Sequence, residues 1–447
     1  TQQRAADVKD LKTSMLSILL GVKEVKLSAA PKGTVVVAKE LTPSMTAGIN
    51  KENIVGIITE TGGKTSHSAI LARALEIPAV LSVNGAVSKL SAGAYVIVDG
   101  SEGVVIDEPD EAVIQEYNTK RINFLKECKE LENFRGKATK ALSGEEYELF
   151  CNIGKPEDAI KAVDADGEGV GLFRTEFLFM DRTALPTEDE QFDAYKKAAL
   201  TLKGKPVIIR TLDIGGDKEI PYLGLKKEEN PFLGFRAIRY CLKHKDLFKT
   251  QLRAIVRASA FGDVRIMFPL ITAVEELREG KALVEEVKAE LREQGVEFNE
   301  NIPVGIMTET SAAVMIADIL AKESDFFSIG TNDLTGYTMA CDRGNDDVAY
   351  LYSPLQPSVL RGIKYIIDCA NKNNISVGMC GEAAANPMMV PLLMSFGLTE
   401  FSVSAPSVLK VRKTISAWSK AEADKVAEKV LAMTTEKEIS DYLKTLL

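Results

Sequence analysis

The decapeptide Phe326-Phe327-Ser328-Ile329-Gly330-Thr331-Asn332-Asp333-Leu334-Thr335 joins a short apolar run, of the length and composition of a buried strand, to a glycine and a group of polar side chains. An apolar run that stops abruptly at chemistry-bearing residues is the pattern of a parallel barrel strand at its carboxyl end. The same pattern recurs on both sides. Strand-like runs are expected at Glu148–Ile153, Gly169–Phe173, Val207–Thr211, Arg265–Leu270, Val304–Thr308, Phe326–Ile329, Ser376–Met379 and Phe401–Ser404, alternating with helical stretches. Eight strands and as many helices predict a (β/α)8 TIM barrel over residues 141–447, with its active site on the loops after the strands.

The residues at those strand ends are mostly ones that carry chemistry. The second run ends in Arg174-Thr175-Glu176, the third in Arg210-Thr211-Leu212-Asp213, and an insert follows with Asn230-Pro231-Phe232-Leu233-Gly234-Phe235-Arg236. The fifth delivers Glu309, the sixth Asn332 and Asp333 with Asp342-Arg343 beyond, and the seventh Cys380-Gly381-Glu382. Arg174, Arg210, Arg236 and Arg343 offer planar forks suited to a phosphate and a carboxylate. Any one of them alone reads as a rim salt bridge worth about 0 to 1 kcal/mol, so the inference rests on their shared position. Glu309 and Asp333 form an oxygen-only pair of the kind that holds Mg2+ together with waters and substrate oxygens, although either alone would read as an ordinary loop carboxylate. Cys380 is buried filler by residue type, but at the end of a barrel strand it is a candidate general acid toward carbon, tuned by Glu382.

Upstream, short runs at Thr34–Val37, Asn53–Ile58, Ala79–Val83, Ala94–Val98 and Gly103–Ile106 predict a small α/β domain over residues 22–108. Its focus is Thr61 to Arg73, where two glycines and a hydroxyl-rich turn place His67 in the first turn of a helix. The helix N-terminus keeps an imidazole neutral and nucleophilic and attracts phosphate, so His67 is a candidate phosphoryl acceptor; a structural cap is the plain alternative. The other histidine, His244, reads as part of a solvated helix face. Gln2–Leu20 has amphipathic helical spacing. Glu111–Phe134 reads as a long charged helix with Ile114, Tyr117, Phe124, Leu125, Cys128 and Leu131 along one side, within a linker at 109–140.

Charge narrows the function classes. With 64 acidic against 55 basic residues the net charge is -9, which argues against nucleic acid or an anionic membrane as general partner. Six scattered cysteines without a CxxC pair argue against structural zinc and a disulfide framework and suit a reducing cytoplasm. The apolar cluster Met15–Leu20 is too short to span a membrane.

Several stretches also match known signatures. GGKTSHSAILAR (62–73) resembles the phosphohistidine signature of the phosphoenolpyruvate-utilising family, and FSIGTNDLTGYTMACDRGN (327–345) resembles its second signature. Within that family GLFRTEFLFMDR (171–182), RTLDIGGDK (210–218), NPFLGFRAIR (230–239) and MCGEAA (379–384) are similar to the Enzyme I branch of the bacterial sugar phosphotransferase system. The resemblance spans nearly the whole chain. It implies a swivelling domain whose His67 takes the phosphoryl group of phosphoenolpyruvate, releasing pyruvate, with Mg2+ on Glu309 and Asp333. On the same model Arg174, Arg210 and Arg343 clamp phosphate and carboxylate, Arg236 assists, Asn332 hydrogen-bonds the phosphate and Cys380 protonates the enolate. A homodimer through the barrel and the carrier HPr as partner are also implied. Ser311 and Gly336 depart from the family's usual proline and glutamine. Residues 1–21 match only the last helix of the family's carrier-docking region, so onward transfer to HPr is expected to be impaired. The alternatives are a relative of pyruvate phosphate dikinase or phosphoenolpyruvate synthase, and a non-catalytic phosphoenolpyruvate-binding dimer scaffold.

Overall fold

A computed structural model describes residues 27–41, 45, 49, 52–62, 68–69, 71–72, 77–180, 182–215, 220–342 and 344–447. His67, Arg343 and the expected opening helix lie outside the described residues. The chain forms two compact units, Thr1–Lys129 and Glu130–Leu447.

In the smaller unit β1 (Thr34–Ala38), β2 (Ile54–Thr59) and β3 (Ala79–Val80) make a parallel sheet in that order, while β4 (Val96–Asp99) and β5 (Val104–Asp107) pair as an antiparallel ribbon. Val36, Ala38, Ile54 and Ile57 from the first two strands pack with Leu41, Ala72 and Ile77 into one apolar cluster. The parallel pairing of β1 and β2 needs a crossover between them, and it leaves the turn after β2 at the sheet's carboxyl edge.

The helix Glu111–Glu132 forms as expected, but its apolar residues do not make a buried stripe. None of its residues is buried, and Phe124 and Leu125 are more than half exposed. So few apolar residues among so many charges give a helix held by its own hydrogen bonds rather than by a core.

The larger unit is a closed barrel of eight parallel strands: β6 (Glu148–Ile153), β7 (Val170–Arg174), β8 (Val207–Arg210), β9 (Val264–Phe268), β10 (Val304–Thr308), β11 (Phe326–Ile329), β12 (Ser376–Met379) and β13 (Glu400–Val403). The sheet closes through β13 against β6. Because side chains alternate along a strand, each contributes to two layers. Ile209, Ile266, Ile306, Phe327, Met379 and Phe401 belong to the large core under the helices. Their alternates Leu172, Ile208, Met267, Met307, Phe326 and Cys380 form a separate cluster that fills the lumen.

Helix starts follow local chemistry. Thr187, Ser419 and Thr435 each close a capping box with the glutamate three residues on, and Pro357 sits in the first turn of Pro357–Lys372. The helix Val408–Ser416 is fastened by Arg412, which is 1 % exposed. Its guanidinium pairs with the Asp166 carboxylate and donates to Thr139 Oγ1 at 3.0 Å and to the Phe134 carbonyl at 3.1 Å. That clasp ties the segment before β6, the corner before β7 and the end of the barrel into one piece. All six cysteines are free, and among the described residues no helix is long and apolar enough to cross a membrane.

Candidate active site

Strand order sets the site. Because all eight strands run parallel, their carboxyl ends open on one mouth, where the expected residues of β7, β8, β10, β11 and β12 lie together. Arg174 ends β7 in register with Arg210 at the end of β8. Arg174 is exposed and makes no ion pair among the described residues. Arg210 is buried and pairs with Glu176 and Asp213, each at 2.8 Å. Arg236, brought in by the insert after β8, holds Asp213 at 2.6 Å and stands 3.6 Å from Asp333. A chain of charges therefore runs Glu176–Arg210–Asp213–Arg236–Asp333 across the mouth.

Each buried arginine keeps one nitrogen without a hydrogen-bond partner among the described residues, Nε of Arg210 and Nη1 of Arg236. A buried donor left unpaired is costly, and an incoming anion would satisfy it. Burial works against the charge of Arg210, but Glu176 and Asp213 more than offset it, so both it and Arg236 titrate above the ordinary guanidinium range.

Glu309 is 2 % exposed, and its Oε1 accepts from the Leu270 backbone N–H at 2.7 Å. Leu270 adopts φ +57°, a left-handed conformation that costs a residue with a Cβ roughly 1 to 2 kcal/mol and here turns the N–H toward the carboxylate. Room for the other oxygen depends on Gly330, where a Cβ would come within 2.7 Å of Glu309 Oε2. Burial, then the nearby charges of Asp333 and Asp213, push the Glu309 carboxyl well above its usual range, with Arg210 and Arg236 pulling the other way. Ala237, immediately after Arg236, also has a left-handed φ of +54°. Strain is thus stored beside two of the charged groups.

The helix Thr331–Met339 starts on Gly330 and carries Asn332 and Asp333 in its first turn. Asn332 is held at both ends: Tyr352 donates to its carbonyl at 2.8 Å, and its Oδ1 accepts from the Glu382 backbone N–H at 3.3 Å. Cys380, 4 % exposed, follows β12, and burial pushes its thiol up to about 11, with the Ser328 hydroxyl, Arg210 and Arg174 opposing the rise and Glu309 adding to it. It is therefore a protonated thiol at neutral pH. Glu382, expected to tune it, has an exposed side chain, and the neighbours that weigh on the thiol are Ser328, Glu309 and the two arginines.

Among the described residues the mouth thus gathers Arg174, Arg210, Arg236, Glu309, Asn332, Asp333 and Cys380. Glu176 and Asp213 hold the two buried arginines; sequence reasoning put both at strand ends but gave them no task. The i,i+3 spacing of Arg210 and Asp213 was the available signal. No group of three or more His, Cys, Asp or Glu side chains stands ready to cage a cation among the described residues. His244 is not on a solvated face: it lies at the corner between two helices, half-buried and stacked 4.2 Å from the Tyr240 ring.

Residues 30–103 match the model of the mobile domain of PEP-utilising enzymes, and residues 128–419 match that of their PEP-binding domain. The phosphoenolpyruvate-protein phosphotransferase of Priestia megaterium is 47 % identical over 99 % of this chain and 78 % of its own length. That of Bacillus subtilis is 48 % identical over 99 % of this chain and 78 % of its own. A solution structure of an Enzyme I protein aligns with 46 % identity over 28 % of this chain and 50 % of that chain, at a TM-score of 0.26. With this identity across both domains, and the barrel that the matched regions require, the chain belongs to the phosphoenolpyruvate-protein phosphotransferase family of transferases.

Proposed function

We propose that the chain moves the phosphoryl group of phosphoenolpyruvate onto a ring nitrogen of its own His67 and releases pyruvate, as the first step of a sugar phosphotransferase relay. The observation that carries this reading is the charged chain across the barrel mouth, with two unpaired arginine nitrogens, beside a buried protonated thiol. Phosphoryl transfer demands positioning and charge stabilisation above all, and arginines supply both.

Arg174, Arg210 and Arg343 take the phosphate and carboxylate of the substrate, Arg236 assists, and Asn332 hydrogen-bonds the phosphate. Glu309 and Asp333 suit Mg2+ by donor type, and the burial that raises Glu309, with the Asp333 charge adding to it, is what a cation would offset. Asp213, the third carboxylate at the mouth, is taken up by Arg210 and Arg236, so a cation on Glu309 and Asp333 would complete its shell with water and phosphate oxygens. When bound, Mg2+ neutralises charge on the phosphate oxygens. As a His67 nitrogen bonds to phosphorus, the bond from phosphorus to the enol oxygen breaks and its electron pair passes into the enolate. Cys380 gives its proton to the methylene carbon, forming pyruvate, and the thiolate recovers a proton from water.

HPr as onward acceptor, a cytoplasmic setting and a second copy of the chain as barrel partner belong to the same proposal. The free cysteines support the setting. Support for self-association comes from the packed helices Ser311–Met315, Ala317–Leu320 and Pro357–Lys372, which leave Met315 77 %, Ile319 42 % and Tyr365 42 % exposed.

The decisive experiment incubates the protein with Mg2+ and phosphoenolpyruvate labelled at phosphorus. Wild type should acquire an acid-labile label that maps to His67 and release pyruvate in equal amount, and His67→Ala should acquire none. Label on the Ala variant, or ATP-dependent labelling in place of phosphoenolpyruvate-dependent labelling, would overturn the reading.

A further inference from the structure

Apart from the buried Arg236, the insert leaves its large side chains half in solvent: Phe232, Leu233 and Phe235 are 40 %, 65 % and 39 % exposed. Polar ties to its backbone hold it instead. Glu228 accepts from the Phe235 N–H at 3.0 and 3.2 Å, and Arg239 donates to the carbonyls of Leu233 and Gly234, both at 3.1 Å. Those ties are local, since Glu228 and Arg239 belong to the insert and the helix that follows it. Among the described hydrogen bonds, one reaches this backbone from elsewhere in the barrel: the Tyr337 hydroxyl donates to the Phe232 carbonyl.

Tyr337 lies on the helix Thr331–Met339, four residues after Asp333, so the hydroxyl and the carboxylate share one helix face. Asp333 stands 3.6 Å from Arg236, and the Arg236 guanidinium lies 5.8 Å from the centre of the Phe232 ring. Arg236 is thus held from the β11 side twice, through its charge by Asp333 and through its backbone insert by Tyr337.

We propose that Tyr337 is a positioning residue that latches the 230–236 insert to the helix bearing Asp333 and so fixes Arg236 for the phosphate of the substrate. This inference rests on the function proposed above. The Arg236 guanidinium is also tied to Asp213, whose Oδ1 accepts from Nε at 3.1 Å and Nη2 at 2.6 Å, but its backbone starts a helix without a side-chain cap and precedes a left-handed Ala237, so the latch bears on the backbone that carries it. Without the latch the insert samples positions in which Arg236 no longer meets the anion, and substrate binding weakens while the proton donor is untouched.

Two measurements on Tyr337→Phe test this, the ring being retained so that only the hydroxyl is lost. In hydrogen exchange, amides of residues 232–236 should exchange faster than in wild type while those of the helix Thr331–Met339 stay as they were; an unchanged insert overturns the latch whatever the kinetics show. In single-turnover pyruvate release, the apparent KM for phosphoenolpyruvate should rise roughly three- to ten-fold with the saturating rate within about two-fold. Added to Arg236→Gln, the same change should have no further effect on KM, because the latch works through that arginine. A full multiplicative loss in the double variant would overturn the assignment. Failure of wild type to release pyruvate fells the functional reading, and the latch's purpose with it, while the exchange result still judges the latch.

Discussion

Cys380 is where a single atom decides between binding and turnover. Its thiol is buried and pushed up to about 11, so at neutral pH it holds the proton that the proposed reaction needs at carbon. Replacing it with alanine removes that proton but none of the arginines or carboxylates that hold an anion. Cys380→Ala should therefore bind phosphoenolpyruvate within about three-fold of wild type by calorimetry while pyruvate release falls roughly 10²- to 10⁴-fold, the range for loss of a general acid. Unchanged release would remove the acid assignment. At this scale the sequence shows residue types at strand ends, because period-2 alternation and an abrupt apolar-to-polar edge are local. It does not show which carboxylate holds which guanidinium. Asp213 bridges two arginines 26 positions apart, Arg210 and Arg236, and Tyr337 reaches a carbonyl on a different segment, and both facts exist only after folding.

Strands were more legible than helices, for a physical reason. Glu148–Ile153, Val304–Thr308, Phe326–Ile329 and Ser376–Met379 form at the bounds that composition sets, since a barrel strand is apolar on both faces and flanked by turn residues. Helices depend on what they pack against. The apolar residues that lie along one side of Glu111–Glu132 are nowhere buried, and the segment after β10 breaks at Ile316 into Ser311–Met315 and Ala317–Leu320. One strand carries a charge where the apolar pattern would put none. Glu400 on β13 points into the lumen, 4 % exposed, with Oε1 unpartnered among the described residues. It fits because Gly171 and Gly378 leave the space; a Cβ on either would come within 2.3 and 2.8 Å of it. Burial, reinforced by Glu148 and only partly opposed by Arg265, pushes this carboxyl up to about 8. A carboxyl raised on folding contributes stability that is fully present below its unfolded pKa, near 4.5, and is lost as pH rises toward about 8. Wild type should thus lose on the order of 4 kcal/mol between pH 5 and 9 from this group, and Glu400→Gln should flatten that slope in denaturant melts across the range. Equal slopes for the two proteins would show that Glu400 ionises freely in the fold.

For the whole molecule, the division into two units puts the proposed substrate-holding residues and proton donor in one part of the chain and the proposed phosphoryl acceptor in the other. The described residues that would hold phosphoenolpyruvate, Arg174, Arg210, Arg236, Glu309, Asn332 and Asp333, lie in Glu130–Leu447, while the proposed acceptor His67 lies in Thr1–Lys129. The larger unit also contains its own closed barrel, its continuous core and the Arg412 clasp that fastens the segment before β6. Nothing among the described ties at the mouth, from Glu176 to Asp333, requires a residue before Glu130. Residues 130–447 expressed alone should therefore fold and bind phosphoenolpyruvate in the presence of Mg2+ within roughly ten-fold of the complete chain, yet release no pyruvate, because the phosphoryl group has no acceptor. Titration calorimetry and a pyruvate assay on the same sample separate the two outcomes. Loss of binding in a folded barrel would mean that the small unit completes the substrate site, whereas pyruvate release without it would mean that water or a barrel side chain accepts the phosphoryl group and that His67 is not needed.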